Sequence, residues 1–193
     1  MLNIVLFGAP GAGKGTQSQN LIEKYKLTHL STGDIFRMHL TQGTELGTLA
    51  RQYMDKGHLV PDTLVIDMVR DKIETNQDSE GFIFDGFPRT VPQAEALDKM
   101  LSDLGMEIGC MLALDVPEEE LKRRIAERGK VSGRVDDQDP EKINTRIQVY
   151  RNETLPVASY YKKQGKFVDI QGVGSIEEIF ADICSKIEAH CNK

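Results

Sequence analysis

The sequence predicts an α/β protein of three layers, α/β/α, with helices on both faces of a five-stranded parallel sheet. Short apolar runs recur along the chain, at residues 4–7, 28–31, 82–84, 108–115 and 166–170, and helical patterns separate them. Strand and helix in alternation argue for βαβ units, and strands covered on both faces read as near-continuous apolar runs. The first run leads directly into a glycine-rich stretch and then a helix-like segment, which is strand, loop, helix in the order a phosphate-binding loop requires. At 193 residues the chain fits one domain with small insertions.

Helix starts are marked in several places. Thr90 with Gln93, and Ser175 with Glu178, have capping-box spacing. Pro61, Pro117 and Pro140 stand where a first helical turn would begin, Pro140 directly behind the N-cap residue Asp139. The last helix is expected from 176 to about 191, with Ile176, Ile179, Phe180, Ile183 and Ile187 on one face. Two regions leave the alternation. Residues 33–56 read as two successive helices broken near Gly43 and Gly47, a helical excursion from the sheet. Around Gly129 and Gly133 one helix is expected to break, and another resumes at Asp139.

The glycine-rich stretch is Gly8-Ala9-Pro10-Gly11-Ala12-Gly13-Lys14-Gly15-Thr16. Lacking side chains, Gly11, Gly13 and Gly15 let backbone N–H groups turn inward around phosphate oxygens. The helix start behind them adds partial positive charge, and Lys14 supplies a full cation. The general pattern places Ser or Thr directly after the lysine, as a magnesium ligand. Here Gly15 takes that place and Thr16 follows. The loop by itself says only that a nucleotide phosphate binds.

A net charge of −6 argues against nucleic acid or an anionic membrane as partner. Arginines are nevertheless concentrated between 123 and 151 and placed singly after glycine turns, at Arg37 and Arg89. That distribution suits a small polyanion. The three cysteines are odd in number and lack metal spacing, which points to a reducing compartment, and Cys110 reads as a small core residue. The N-terminus is unlike a signal peptide and no run approaches a transmembrane length, so a cytoplasmic location is expected.

Three further segments carry candidate chemistry. Ser31-Thr32-Gly33-Asp34 ends a strand, and Arg37 follows one helical turn after Asp34; strand C-termini are where ligands bind in open α/β sheets. In residues 84–93 a strand again runs into a glycine turn, with Pro88 stiffening the approach to Arg89. Asp85 there could hold magnesium through water, orient Arg89, or be an ordinary turn residue, and a capping role competes for the side chain of Gln93. Arg124 and Arg128 share a helix face, Arg123 points elsewhere, and Arg134 and Arg146 follow with Asp136 and Asp137 between them. His29, His39, His58 and His190 form no acid–base constellation.

Taken together, residues 8–16, Ser31 to Asp34 with Arg37, Met54 to Val60, Asp85 to Gln93, Arg124, Arg128, Gly133 to Asp137 and Arg146 resemble the adenylate kinases over the whole chain. In that family a glycine after the loop lysine is normal. The resemblance implies the P-loop NTPase type of fold, with a core of 1–30, 61–128 and 136–193, an insertion for the nucleoside monophosphate at 31–60 and a short lid at 129–135. It implies that Gly11, Ala12, Gly13, Lys14, Gly15 and Thr16 cradle ATP, with Arg128 and Gly174 near its base. Thr32, Gly86, Phe87, Pro88 and Gln93, with the backbone of His58, Leu59 and Val60, would receive AMP. Arg37 and Arg89 would hold its phosphate, while Lys14, Arg89, Arg124, Arg134 and Arg146 would meet the phosphoryl group in transfer. Magnesium would arrive with ATP through phosphates and water, with Asp85 at most behind it. The segment between Arg128 and Arg134 has no cysteine, so no structural zinc is expected.

The implied reaction is reversible phosphoryl transfer from ATP to AMP, giving two ADP, in a monomer that needs no general base because the acceptor oxygen is already ionised. Two other readings share the loop. A UMP/CMP kinase would differ at Thr32 and Gln93, and a nucleotide-hydrolysing switch would place Ser or Thr after the lysine and lack a second phosphate grip.

Overall fold

The computed structural model describes residues 1–190, which hold five parallel strands: β1 (Ile4–Gly8), β2 (Thr28–Ser31), β3 (Phe82–Asp85), β4 (Cys110–Asp115) and β5 (Phe167–Gln171). Their order across the sheet is β2-β3-β1-β4-β5. In register, Leu6 lies opposite Asp85 on one side and Leu112 on the other. The chain fills one side of β1 with β2 and β3 and then crosses to the other side for β4 and β5. The C-terminal end of β1 therefore lies where the winding reverses, which is where open α/β sheets leave a crevice.

Strand side chains alternate between the faces, so each face builds its own core. Val5, Phe7, Phe82, Phe84, Met111 and Ala113 face one way, toward α4 (Asp62–Glu74), α5 (Val91–Asp103) and α8 (Pro156–Lys163), where Val69, Leu97 and Tyr161 are fully buried. Ile4, Leu6, Ile83, Cys110, Leu112, Val168 and Ile170 face the other way, toward α1 (Lys14–Tyr25) and α9 (Ile176–His190), through Leu21, Ile183 and Ile187. Both faces are apolar, as the sequence predicts for strands with helices on each side. In α9, Ile179, Ile183 and Ile187 are buried while Ile176 is half exposed, so the predicted apolar face starts one turn later. The predicted end of that helix at Cys191 lies outside the described residues.

The helical excursion is α2 (Thr32–Gln42) followed by α3 (Glu45–Met54), with no strand between them. Gly43 adopts a left-handed φ of 64°, and Thr44 caps α3 by accepting the Gly47 N–H at 3.1 Å. A Cβ at Gly47 would stand 2.2 Å from the His39 carbonyl oxygen, so the elbow closes only around glycine.

Three local expectations are corrected. α6 spans Glu118–Ser132 and does not break at Gly129, which packs so closely on the Asp137 backbone that a Cβ would fall 2.5 Å from its carbonyl oxygen. The helix ends at Gly133, where φ is 66°. Pro61 and Pro117 occupy the cap positions of α4 and α6, one residue before the first turn, whereas Pro140 does open α7 (Pro140–Val149). Gly15 is helical, and a Cβ on it would meet nothing within 4 Å, so it is not a turning residue of the loop. Cys110 is fully buried in β4, as its place in an apolar run predicts, and Cys184 is a free buried thiol on α9.

Asn3 is fully buried just before β1 and joins three strands. Its Nδ2 donates to the Glu107 carbonyl at 2.9 Å, its Oδ1 accepts the Phe82 N–H at 3.1 Å, and its own carbonyl accepts the Gly109 N–H at 2.9 Å. Asn3→Leu leaves the buried Phe82 N–H without its partner, a loss of about 1–3 kcal/mol, while the part-buried Glu107 carbonyl loses only a bond that water can replace. Urea unfolding is expected to show a stability loss of about 1–3 kcal/mol with the m-value unchanged.

Candidate active site

At the C-terminal end of β1 the backbone turns through Gly8, Gly11 and Gly13, with φ of 152°, 84° and 94°. Gly11 has a second constraint, since a Cβ there would lie 2.8 Å from Ile125 and 3.0 Å from the Leu121 carbonyl oxygen on α6. Gly13 caps α1 with no side-chain hydrogen bond, so the first N–H groups of that helix remain open at the loop mouth. Lys14 folds back over the loop and donates to the carbonyls of Gly8 at 2.8 Å and Ala9 at 3.0 Å. Burial pulls its pKa down to about 8; Asp85 opposes the shift, and Arg89, Arg128 and Arg146 add to it.

Opposite the loop, β3 ends in Asp85 and the Gly86 turn. Asp85 is buried with His29 Nε2 3.6 Å away. Burial works against its charge, but His29, Lys14 and Arg89 outweigh it and hold the carboxyl below the usual range. The Gly86 carbonyl accepts from Thr32 Oγ1 at 2.8 Å and from Arg89 Nε at 2.7 Å. With φ at 77°, and with a Cβ position 2.8 Å from the Arg89 guanidinium, only glycine suits that turn. Arg89 is pushed down to about 10 by burial first and by the charge of Arg146 second.

The wall beyond α6 is held by carboxylates. Asp137, almost fully buried in the 3-10 turn Val135–Asp137, accepts from Arg128 at 2.6 and 2.9 Å and from Arg146 at 2.7 Å. Asp136 is a second partner of Arg146, at 2.9 Å. Arg37 pairs with Asp34, and Arg134 approaches the same carboxylate at 3.9 Å, so Asp34 links α2 to the turn that follows α6. Arg124 is held by Glu120 at 2.7 Å and by the Gly172 carbonyl at 3.0 Å. Arg123 is exposed and pairs with Glu120 and Glu127, pointing away as expected.

These groups surround one cavity of about 510 Å³. Lys14, Arg37, Arg89, Arg124, Arg128, Arg134 and Arg146 all line it, as do residues 11–16, His58, Leu59 and 86–88. A smaller cavity of about 50 Å³ adjoins it and is lined by Thr32, Val60 and Gln93, with Phe36 and Val65 as apolar walls. Gly174 stands apart. It lies in the turn between β5 and α9 with φ at 144°, two residues beyond the Gly172 carbonyl that holds Arg124, and it lines neither cavity. The sequence reading missed Tyr150 and Thr154, which line the larger cavity from a π-helical turn (Tyr150–Thr154), where the Leu155 N–H reaches back to the Tyr150 carbonyl at 2.8 Å. Nothing local in the sequence marks that turn except Pro156 behind it.

A glycine loop with its lysine, together with Arg37 on the first turns of α2 and Arg89 behind the Gly86 turn, all lining one cavity, define a phosphotransferase of the P-loop class. A family model described as adenylate kinase matches residues 6–166. Curated relatives named adenylate kinase include one from Bacteroides fragilis, 53% identical over 188 residues, which covers 97% of this chain and 99% of the relative. Another, from Flavobacterium psychrophilum, is 56% identical over 179 residues, 93% of this chain and 94% of its own. A third, from Porphyromonas gingivalis, is 50% identical, with 93% and 92% covered. The chain belongs to the adenylate kinase family.

The lowered pKa of Lys14 has a measurable sign. In the free site the ammonium is lost as pH rises through about 8, and a bound polyanion favours the charged form, so binding above that pH takes up a proton. Calorimetry of ATP binding in buffers of differing ionisation enthalpy should show uptake approaching a full proton at about pH 9 and almost none at about pH 7. Lys14→Met is expected to remove the difference.

Proposed function

We infer that the protein catalyses reversible phosphoryl transfer from ATP to AMP, giving two ADP. The observation that carries the reading is the pair of phosphate grips facing one cavity, Lys14 with its loop at one end and Arg37 with Arg89 at the other. A hydrolase needs one grip and a positioned water. A transferase between two nucleotides needs both.

Residues 11–16 cradle the ATP phosphates, with Arg128 and the backbone at Gly174 on the side of its base. Arg37 and Arg89 take the AMP phosphate. Its adenine enters beside Thr32, Gly86 and Gln93 and the backbone of residues 58–60, past Phe87 and Pro88. Lys14, Arg89, Arg124, Arg134 and Arg146 then surround the transferring group. The acceptor oxygen of AMP is ionised at neutral pH, so no residue has to remove a proton. What the side chains supply is alignment and positive charge where negative charge spreads over the phosphoryl oxygens. Arg134 and Arg146 reach that position by exchanging carboxylate partners for phosphate oxygens.

The donor set suits Mg²⁺ that arrives on ATP: Asp85 is a single buried carboxylate between Lys14 and Arg89, enough to hold a metal-bound water but too few groups to cage an ion. When bound, Mg²⁺ would add positive charge to the phosphates alongside Lys14 and the arginines. The moving parts are the insertion at 31–60 and the lid at 129–135, which meet through Asp34 and Arg134. Their closure excludes water, the competing acceptor. Among the described residues no helix is long and apolar enough to cross a membrane. We place the protein in the cytoplasm, as a monomer, with ATP, AMP and ADP as its partners and neither nucleic acid nor membrane among them.

Arg89→Ala and Arg134→Ala are each expected to lower kcat at least about 10²-fold while circular dichroism stays unchanged. Wild-type turnover in either variant would remove that residue from the transfer step. Hydrogen exchange should slow in residues 31–60 and 129–135 when a bisubstrate analogue binds, and equal exchange with and without it would sink the closure. A coupled assay of ADP formation from AMP, CMP and UMP, with and without Mg²⁺, tests the reaction itself; AMP with Mg²⁺ is expected to be used far better than either pyrimidine nucleotide.

A further inference from the structure

Asp62, the first residue of α4, lines neither cavity, yet both of its carboxylate oxygens are engaged by α5. Oδ1 accepts from Gln93 Nε2 at 2.7 Å, and Oδ2 accepts from Thr90 Oγ1 at 3.0 Å. The other end of the same amide, Gln93 Oε1, accepts the Arg89 backbone N–H at 2.8 Å. Gln93 is 2% exposed and lines the smaller cavity on the acceptor side.

The orientation of that amide follows from its partners. A carboxylate can only accept and a backbone N–H can only donate, so the NH₂ must face Asp62 and the oxygen must face Arg89. A half-turn of the amide would set two acceptors together at one end and two donors at the other. One N–H and one lone pair remain for a ligand, in a fixed order. Purine bases differ in that order: adenine carries an amino donor at C6 beside the N1 acceptor, whereas a 6-oxo purine carries an acceptor at C6 beside an N1–H donor. A locked amide accepts one of these edges in a given seat and refuses the other. An amide free to turn accepts both.

We propose that Asp62 is a positioning residue that sets purine selectivity by locking Gln93, so that the acceptor site takes a 6-amino purine monophosphate and rejects a 6-oxo one. The inference rests on the assignment of Gln93 to the AMP base. Thr90 has a different part. Its hydroxyl accepts the Gln93 N–H at 3.3 Å and caps α5, which steadies the helix start but leaves the amide orientation to Asp62 and Arg89.

The test compares kcat/KM for AMP and inosine monophosphate in the wild type, Asp62→Asn, Thr90→Val and Gln93→Ala. In Asp62→Asn the side chain both donates and accepts, so one of the two locks is lost. The AMP-over-inosine preference is expected to fall about tenfold or more, carried mainly by KM, with kcat for AMP changed far less. Thr90→Val should leave the ratio where it is. If Asp62→Asn does not fold, Asp62→Ser gives the same readout, because its hydroxyl is equally two-faced and suits a helix start. Equal weakening of both substrates, with the ratio unchanged, would make Asp62 a structural residue only and overturn the proposal. Should Gln93→Ala leave both the AMP KM and the ratio untouched, it is the assignment of Gln93 that fails. Should that variant move them while Asp62→Asn does not, the assignment stands and only the lock is refuted.

Discussion

Repulsion among like charges is the constraint around which this site is built. Lys14, Arg37, Arg89, Arg124, Arg128, Arg134 and Arg146 line one cavity. The cost is visible in their titration: Lys14 is drawn down to about 8 and Arg89 to about 10 by burial, and neighbouring cations add to both shifts. Such a cluster opposes folding as long as no polyanion is bound. It is also what two nucleotides require, because their phosphates repel one another and neither approaches the other without cations between them. Substrate binding therefore relieves the protein and the substrates together, and ligand affinity adds to fold stability by linkage.

Carboxylates make the unliganded arrangement tolerable. Asp137 is almost fully buried and fixes Arg128 and Arg146 at 2.6 to 2.9 Å; Asp34 lies between Arg37 and Arg134; Asp85 faces Lys14 and Arg89. A carboxylate and a phosphate offer an arginine similar planar, charge-assisted bonds. An arginine held by Asp34 or Asp137 is thus already oriented for an oxyanion, and handing it over costs less than ordering a free side chain. Arg134 directly follows the Gly133 turn, and Arg146 stands on α7 beyond the 3-10 turn that carries Asp136 and Asp137, so the chain between the two arginines is turn rather than continuous helix.

Much of this was legible along the chain, and what was not has a common reason. The five strands, the double-helical excursion and the phosphate loop depend on local patterns, and each appears where the sequence predicts it. The capping box at Ser175 and Glu178 is complete, with bonds at 3.0 and 3.2 Å. The cationic residues of the cavity could be named because charge type and glycine turns are local too. Their partners could not, since Asp137 meets Arg128 and Arg146 nine residues away in either direction and Gln93 meets Asp62 across thirty-one. Sequence separation says nothing about which carboxylate holds which cation. Gly129 misled for a related reason: its missing side chain serves a contact between α6 and the Asp137 backbone, and from the sequence alone a glycine that admits a neighbour looks the same as one that ends a helix.

Gln93 shows where local rule and site compete. A complete capping box would turn its side chain back to the N–H of the cap residue, Thr90. Thr90 does its share, accepting the Gln93 N–H, but Gln93 Oε1 goes one residue further back, to the Arg89 N–H at 2.8 Å. That displacement keeps the helix start partly capped and leaves the amide at the cavity wall. It also ties the amide to the backbone of Arg89, whose guanidinium lines the larger cavity. Arg89 in turn donates to the Gly86 carbonyl, which accepts from Thr32 as well. Gln93, Arg89, Gly86 and Thr32 therefore form one hydrogen-bonded assembly across the end of β3, α2 and α5, and on the proposed assignment a base that strains the amide also strains the arginine beside it. Coupling of that kind lets a poor fit at the purine weaken the hold on the phosphate as well, so a wrong base loses affinity at both ends of the nucleotide.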